Sequence, residues 1–299
     1  MAFQPRFSVL VLPTLPWPEL LRRCRHVEAL GFDALCLADH FTDWTGRKGP
    51  WYEMWTHLAA IAQATSRIRI ATLVAQIPLR EPAMFALQAL TADHVSGGRL
   101  EIGLGTGLEV DPSYRMMGIE NWPAGQRVAR FPEYVEIVHR LLTEEVVTHQ
   151  GRFHRLEGAT LGQRPAQAPR PPITIAALGP VMLRHAARWA DTWNSLSFAR
   201  DVEAQLAETR QRIATLDAAC AAIGRDPASL RRSYLMFDPT ARAGGGRIAY
   251  YESEQAFRDM AGRVLALGIT DIVLYHPIAE GQMAVFERIA TTVLPMLRG

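Results

Sequence analysis

The chain has 299 residues, of which 48 % are hydrophobic and 21 % are charged, and its formal net charge at pH 7 is +2. This length and composition predict a large buried core and suit a single α/β barrel. The small net charge argues against a nucleic-acid partner, and no apolar run reaches the roughly 18–20 residues that would span a bilayer.

Short apolar strands alternate with amphipathic helices along the whole chain. In the first half, the predicted strands are Phe7–Leu12, Asp33–Ala38, Ile68–Ala75 and Leu100–Leu104. The predicted helices that follow them are Trp17–Leu30, Met54–Thr65, Pro82–Val95 and Arg127–Glu144. Gly31 ends the first of these helices as its C-terminal cap.

The second half opens with a predicted β-hairpin, Val147–Leu156, that turns at Gln150-Gly151. The remaining predicted strands are Ile173–Ala177, Thr192–Leu196, Leu230–Phe237 and Asp271–Tyr275. The remaining predicted helices are Val181–Trp189, Asp201–Ile223, Glu254–Leu267 and Met283–Leu297. Eight strand-then-helix units predict one (β/α)8 TIM barrel domain over residues 1–299, in preference to an open doubly wound sheet.

Two long connections, residues 105–126 and 238–252, follow predicted strands 4 and 7. Because barrel active sites form at the C-terminal ends of the strands, we expect these insertions to act as lids and to shape the substrate pocket. The three cysteines form no CxxC pair, which predicts a reducing compartment and no structural zinc. The first residues lack the layout of a signal peptide, so we expect a cytoplasmic protein.

Asp39 and His40 directly follow predicted strand 2 and precede Phe41 and Trp44. An imidazole at this end of a barrel strand can exchange a proton near neutral pH, while the carboxylate orients it or bonds the edge of a bound ring. A solvated loop pair, with Trp44 packed on a neighbouring helix, fits the same residues equally well.

A glycine-rich run, Gly103-Leu104-Gly105-Thr106-Gly107, follows predicted strand 4. Its GxGxG spacing differs from the GxGxxG dinucleotide fingerprint. Glycines allow a ligand to approach the backbone and Thr106 adds a hydroxyl donor, but tight packing between strands explains the run as well. Glu109 and Asp111, just beyond it, are either candidates for a general acid or carboxylates of a surface loop.

Two further positions lie at predicted strand ends. Gly179 precedes a predicted helix, whose free amides would suit a phosphate, although a structural turn fits equally well. His276 follows the last strand and is a candidate substrate-side residue. The helical histidines lack the HExxH spacing, and no serine sits in a GxSxG elbow, so we expect neither a metal site nor hydrolase chemistry.

Several segments, in this order, resemble the luciferase-like monooxygenase superfamily, and more closely its branch of oxidoreductases that depend on the deazaflavin coenzyme F420. The resemblance covers most of the chain. It is carried by VEALGFDALCLADHF (27–41), ATSRIRIATLV (64–74), ADHVSGGRLEIGLGTG (92–107), RFPEYVEIVHRLL (130–142), THQGRFHRL (148–156) and AARWADTWN (186–194). It implies a luciferase-like barrel, coenzyme F420 or alternatively FMN as cofactor, and a homodimer packed through early helices.

The resemblance also implies roles for residues at two strand ends. Asp39 and His40 match a pair that lies against the flavin or deazaflavin ring, where the histidine exchanges a proton during hydride transfer. Trp44 matches a residue that steadies the charged histidine or the intermediate. Leu73 and Val74 match a non-proline cis peptide that backs the ring.

Other matching positions concern the rest of the cofactor. Thr106 and Gly107, together with Leu178 and Gly179, match positions that hold its phosphate and side chain. In the deazaflavin branch a glutamate directly follows the GTG run. Here Leu108 intervenes, and Glu109 is the candidate general acid that comes next.

Three functions are therefore open. The first is an F420-dependent oxidoreductase that transfers a hydride between the deazaflavin and a small organic substrate. The second is an FMNH2-dependent monooxygenase supplied by a partner flavin reductase, and the third is a non-catalytic flavin-binding barrel. Sugar-phosphate dehydrogenases of the branch hold their substrate's phosphate with lysines, and Lys48 is the only lysine here. We therefore expect a neutral or apolar substrate.

Overall fold

The computed structural model describes residues 3–44, 49–241 and 246–299. The strands are β1 (Arg6–Leu10), β2 (Ala34–Leu37), β3 (Arg69–Thr72), β4 (Ala75–Gln76), β5 (Leu100–Gly105), β6 (Val147–Gln150), β7 (Arg155–Ala159), β8 (Ile173–Ala176), β9 (Thr192–Ser195), β10 (Arg231–Leu235) and β11 (Asp271–Tyr275). The α-helices are α1 (Trp17–Ala29), α2 (Met54–Ala64), α3 (Pro82–Val95), α4 (Ser113–Met117), α5 (Ala124–Thr143), α6 (Pro180–Trp189), α7 (Val202–Ala222), α8 (Glu254–Leu265), α9 (Met283–Arg288) and α10 (Leu294–Arg298).

Nine of these strands form one sheet, in the order β3-β2-β1-β11-β10-β9-β8-β5-β4, and β3 also pairs with β5. The pairing of β3 with β5 closes the sheet on itself. β4 continues the line of β3 after an interruption at Leu73 and Val74, so the nine strands correspond to the eight that the sequence predicts. The (β/α)8 barrel is thereby confirmed.

The chain divides into two compact units, each discontinuous in sequence. One unit comprises residues 1–11, 26–36 and 177–299, and its largest buried side chains include Phe7, Trp193, Tyr234, Phe257 and Phe286. The other comprises residues 12–25 and 37–176, and its largest buried side chains include Phe85, Tyr114, Arg127, Phe131 and Tyr134. The assignment of residues 1–299 to a single domain stays a prediction.

The element bounds depart from the predictions in a few places that have physical reasons. The predicted strand Ile68–Ala75 is broken by a cis peptide bond between Leu73 and Val74. The closing helix is interrupted by a π-helical turn, Ile289–Val293, which ends two residues before Pro295, a residue that cannot donate a backbone hydrogen bond. Helix α4 was not predicted, since five residues are too few to show a period.

The predicted hairpin is present as β6 and β7, which pair antiparallel. Its turn spans residues 151–154, where Gly151 N–H donates to the carbonyl of His154, and β7 runs three residues beyond the predicted end. Of the two predicted lids, the first contains α4, and residues 242–245 of the second lie outside the described part. No helix among the described residues is long and apolar enough to cross a membrane.

Candidate active site

Asp39 lies just beyond the C-terminal end of β2 and is almost fully buried. Its two carboxylate oxygens accept a bidentate pair of hydrogen bonds from the Arg80 guanidinium, at 2.5 and 3.0 Å. Arg80 also donates to Glu53, whose carboxylate caps the start of α2. A buried carboxylate needs such a partner, so Arg80 balances Asp39 and ties the end of β2 to the start of α2.

The next residue, His40, is held by a different carboxylate from the one that the sequence suggested. Its Nδ1 lies 2.6 Å from Oδ2 of Asp111, and not against Asp39. The Asp111 side chain is fully buried, whereas His40 keeps 17 % of its side chain exposed. Within the described part of the chain, no residue hydrogen-bonds to Nε2 of His40, so this nitrogen is available to a ligand.

Asp111 is held in place by its own loop. Its Oδ1 accepts the backbone N–H of Ser113 at 2.8 Å, and the Ser113 hydroxyl accepts the N–H of Phe41 at 3.0 Å. Burial raises the pKa of Asp111, but hydrogen bonds from His40, Ser113 and Gln76 outweigh that effect and lower it to about 2. Asp111 is therefore ionised at neutral pH.

Gln76, at the end of β4, joins these groups. Its amide nitrogen lies 2.5 Å from the Asp39 carbonyl and 3.0 Å from Oδ2 of Asp111. Its carbonyl oxygen accepts the hydroxyl of Tyr114, which in turn lies 3.0 Å from an Arg127 nitrogen. The side chains of Gln76, Asp111, Tyr114 and Arg127 are all buried, so their hydrogen bonds are shielded from bulk water.

Arg127 organises the connection between β5 and α5 (residues 106–123). Its guanidinium donates to the carbonyls of Trp122 and Thr106 and to the side chain of Asn121. It also lies over the Tyr114 ring, with its central carbon 4.5 Å from the ring centroid. One buried cation thus fixes the connection that carries Asp111.

The ring that packs on His40 is Trp51, with ring centroids 5.7 Å apart and planes at 76°. The indole Nε1 of Trp51 is buried and has no hydrogen-bond partner in the part of the chain that the structure describes. Trp44, predicted to steady the histidine, is half-buried in the same loop, and its role stays a prediction.

The cis peptide bond expected at Leu73-Val74 is present. The glycine run packs against the bulge that Leu73 and Val74 form between β3 and β4. A Cβ on Gly103 would lie 2.0 Å from the Thr72 carbonyl oxygen, and one on Gly105 would lie 2.5 Å from the Val74 side chain. Gly107, at φ +73°, leaves no room for a Cβ beside the Tyr114 hydroxyl. These glycines are accounted for by packing within the protein.

Glu109 and Thr106 help to hold the connection between β5 and α5. The Glu109 carboxylate accepts the N–H of Ala124 at the start of α5, a favourable place for a negative charge. The Thr106 carbonyl accepts a hydrogen bond from Arg127. Glu109 is thus engaged away from His40, and Asp111, two residues later, reaches the imidazole.

Three of the predicted residues, Leu178, Gly179 and His276, belong to the other unit. Gly179 is the exposed N-cap of α6 and Leu178 beside it is half-buried. His276 is 5 % exposed, its Nδ1 lies 3.0 Å from the Pro277 carbonyl, and its ring packs on Phe286. His276 is thus buried, and its role on the substrate side stays a prediction.

Sequence reasoning missed several residues of the site, which are Trp51, Gln76, Arg80, Tyr114 and Arg127. Gln76 directly follows the third predicted strand, as Asp39 follows the second. Its position could therefore have identified it as a candidate site residue. Arg127 and Tyr114 carried no signal, because nothing in the sequence shows that a helical arginine turns inward onto a loop. Among the described residues, no group of three or more metal-ligating side chains lies together.

A model of the family described as luciferase-like monooxygenase matches residues 2–284. The chain belongs to this family. Among curated relatives, the luciferase-like chain is 34 % identical over 177 residues to an F420-dependent glucose-6-phosphate dehydrogenase of Segniliparus rotundus, covering 58 % of this chain and 51 % of the relative. A protein of the same name from Intrasporangium calvum is 36 % identical over the same length, covering 58 % of this chain and 52 % of the relative.

The matched part spans about half the length of these curated relatives. Among solved structures, the luciferase-like barrel superposes on an F420-dependent secondary alcohol dehydrogenase in complex with an F420-acetone adduct, with a TM-score of 0.81 and 17 % identity over 96 % of this chain and 98 % of the other. The monooxygenase RslO1 from Streptomyces bottropensis gives a TM-score of 0.77 and 22 % identity over 97 % and 99 %. These likenesses show the fold.

Proposed function

We propose that this luciferase-like protein is an oxidoreductase that uses coenzyme F420 and transfers a hydride between the deazaflavin and a small organic substrate. The observation that carries the proposal is His40. Its imidazole stands at the end of a barrel strand, is held at Nδ1 by the ionised Asp111, and leaves Nε2 available. The names of the curated relatives and of the secondary alcohol dehydrogenase support F420 as the carrier.

The residues around His40 fit a flat ring system. Leu73 and Val74, directly before the start of β4, offer a half-buried apolar wall, and the exposed Phe41 adds an aromatic face. Beside the imidazole, the indole Nε1 of Trp51 is a buried donor without a hydrogen-bond partner among the described residues. An apolar wall with a few placed polar groups is the usual composition of a cofactor site.

In this proposal Leu73 and Val74 would back the ring, and Thr106 and Gly107 would lie near the rest of the cofactor. When bound, the deazaflavin supplies a two-electron carrier, so the protein need only orient the partners, exclude water and manage a proton. The proposals for Leu178 and Gly179 as holders of the cofactor's phosphate rest on the resemblance.

His40 manages the proton through Nε2. An imidazole exchanges protons near neutral pH, and the Asp111 carboxylate stabilises the imidazolium that forms when Nε2 accepts a proton. Asp39 does not compete for this role, because its oxygens are engaged by Arg80. Trp51, packed on the ring, restricts its rotation.

The substrate and partners are proposed in the same sense. We propose the neutral or apolar substrate that the sequence predicts. Lys48, the lysine on which that argument depends, lies outside the described residues. The apolar side chains exposed on the connection that carries Asp111 agree with this substrate class, and they are Leu108, Val110, Met116 and Met117. A homodimer, a cytoplasmic location and a separate F420 or flavin reductase as electron donor complete the proposal.

A turnover screen tests the function. Purified protein is mixed with oxidised F420 and a panel of small alcohols, or with reduced F420 and aldehydes, ketones and enones, and the cofactor absorbance is followed. We expect F420 turnover with at least one compound, lost in His40→Ala. Substrate-dependent oxygen uptake with reduced FMN, and none with F420, would establish the monooxygenase instead. Activity that is the same in His40→Ala would contradict the role of His40.

A further inference from the structure

We infer that Asp111 is the positioning residue of this site, and that it sets the tautomer of His40 so that Nδ1 carries the hydrogen and Nε2 the reactive lone pair. The inference deepens the proposed function, on whose proton transfer its catalytic meaning rests. The tautomer itself is a property of the protein alone.

The direction of each hydrogen bond follows from the Arg127 end of the network. A guanidinium only donates, so the Tyr114 oxygen accepts from Arg127 and its hydroxyl hydrogen is directed to the Gln76 carbonyl oxygen. That contact fixes which end of the Gln76 amide faces the site. The amide nitrogen therefore points to the Asp39 carbonyl and to Oδ2 of Asp111.

The two hydrogens of the Gln76 amide are then both used, one on each of these oxygens. The same nitrogen also lies 3.0 Å from Nδ1 of His40, but it has no third hydrogen to give. Oδ2 of the ionised Asp111 lies 2.6 Å from Nδ1. Two lone pairs at that distance would repel each other, so Nδ1 carries a hydrogen and donates it to Asp111.

Asp111 is better placed for this role than the adjacent Asp39. Both carboxylates are buried, but Asp39 is neutralised by the bidentate contact with Arg80. Asp111 forms no ion pair with an arginine among the described residues, and the charged partner available to it is the imidazolium of His40. A buried carboxylate that orients an imidazole through Nδ1 raises the basicity of the opposite nitrogen and stabilises its protonated form.

The decisive experiment is ¹⁵N NMR of protein labelled in histidine, with His40 assigned by the loss of its signals in His40→Ala. In the neutral imidazole, we expect Nδ1 of His40 to resonate as a protonated nitrogen and Nε2 as an unprotonated one. In Asp111→Asn the new amide can present its own N–H₂ to Nδ1, so we expect the other tautomer to appear. A wild-type His40 protonated at Nε2 would overturn the inference, whether or not F420 turnover is found.

A matched pair of tyrosine variants tests the rest of the network. Tyr114→Phe removes the hydroxyl that orients Gln76, whereas Tyr134→Phe removes a buried hydroxyl that has no partner in the described residues. We expect Tyr114→Phe to lower kcat about 3- to 10-fold and to move its pH profile, and Asp111→Asn to lower kcat by at least about 100-fold. Equal kcat and pH profiles in Tyr114→Phe and Tyr134→Phe would refute the role of the Tyr114–Gln76 contact.

Discussion

At the scale of single residues, the site assigns different tasks to three acidic side chains that the sequence could not tell apart. Asp39 is tied to Arg80, Glu109 caps the start of α5, and Asp111 holds His40. Each task follows from which cation or N–H group lies within reach. The imidazole is held at Nδ1 and has no hydrogen bond to Nε2 from the described residues, and it is therefore where chemistry is expected.

Replacing His40 by asparagine tests that expectation. Asparagine can still donate a hydrogen bond to Asp111 but cannot accept a proton in the physiological range. We expect F420 affinity to stay within about threefold, while turnover falls by about 10²–10⁴-fold, the usual contribution of general acid–base catalysis. Steady-state kinetics and a fluorescence titration of the cofactor measure the two quantities. Normal turnover in this variant would mean that another group handles the proton.

The ionisation of Asp111 also predicts how stability depends on pH. Its pKa is lowered from 3.8 to about 2 in the folded state, so its stabilising contribution is present above about pH 4 and is lost as the pH falls towards about 2. The Asp111→Asn variant lacks this pH-dependent contribution to stability. We expect the difference in unfolding free energy between the wild type and this variant to shrink by about 2 kcal/mol over that interval.

Denaturant unfolding of both proteins at closely spaced pH values measures the effect. The comparison of two proteins at each pH removes the contribution of all other carboxylates, provided that these are unaffected by the substitution. A difference that stays constant from about pH 5 to about pH 2 would show that Asp111 does not have its lowered pKa in the folded protein.

At the scale of elements, the site depends on how closely β5 approaches the Leu73-Val74 bulge between β3 and β4. Gly103 lies where any Cβ would be 2.0 Å from a backbone oxygen of Thr72. The Thr72 hydroxyl also donates to the Gly103 carbonyl and accepts its N–H, both at 2.8 Å. The glycine run is therefore a requirement of strand packing, and this packing positions Leu73 and Val74.

Gly103→Ala is expected to lower the free energy of unfolding by about 2–4 kcal/mol, because backbone has to move to admit the methyl group. Gly125→Ala is the matched control, since Gly125 lies in the first turn of α5 and a Cβ there meets nothing within 4 Å. We expect the control to be neutral or to stabilise by about 0.5–1 kcal/mol. Denaturant unfolding compares the two, and equal stability would refute the packing argument.

The elements also show how far sequence reasoning reaches. Alternation of strands and helices correctly predicted eight barrel strands. The ends of β2 and β5 were predicted to carry candidate site residues, among them His40 and Asp111, and the structure brings these two side chains together. The partner of His40 could not be predicted, because Asp39 is adjacent in sequence and Asp111 is brought near only by the fold of the connection after β5. A five-residue helix and an inward-facing arginine build that connection, and neither leaves a periodic pattern.

At the scale of the whole molecule, membership of the luciferase-like family fixes the barrel but leaves open which ring it holds. Solved structures with this fold include both F420-dependent enzymes and monooxygenases. The choice of F420 in our account therefore rests on the curated relatives and on a site that needs only to orient a two-electron carrier and move one proton.

The most direct test is a competition titration of the two cofactors on the purified protein. Oxidised F420 is titrated by fluorescence, FMN is titrated separately, and each is then used to displace the other. We predict micromolar or tighter binding of F420 and at least about tenfold weaker binding of FMN, a difference of about 1.4 kcal/mol. Tighter binding of FMN than of F420, or no binding of F420 at these concentrations, would contradict the account.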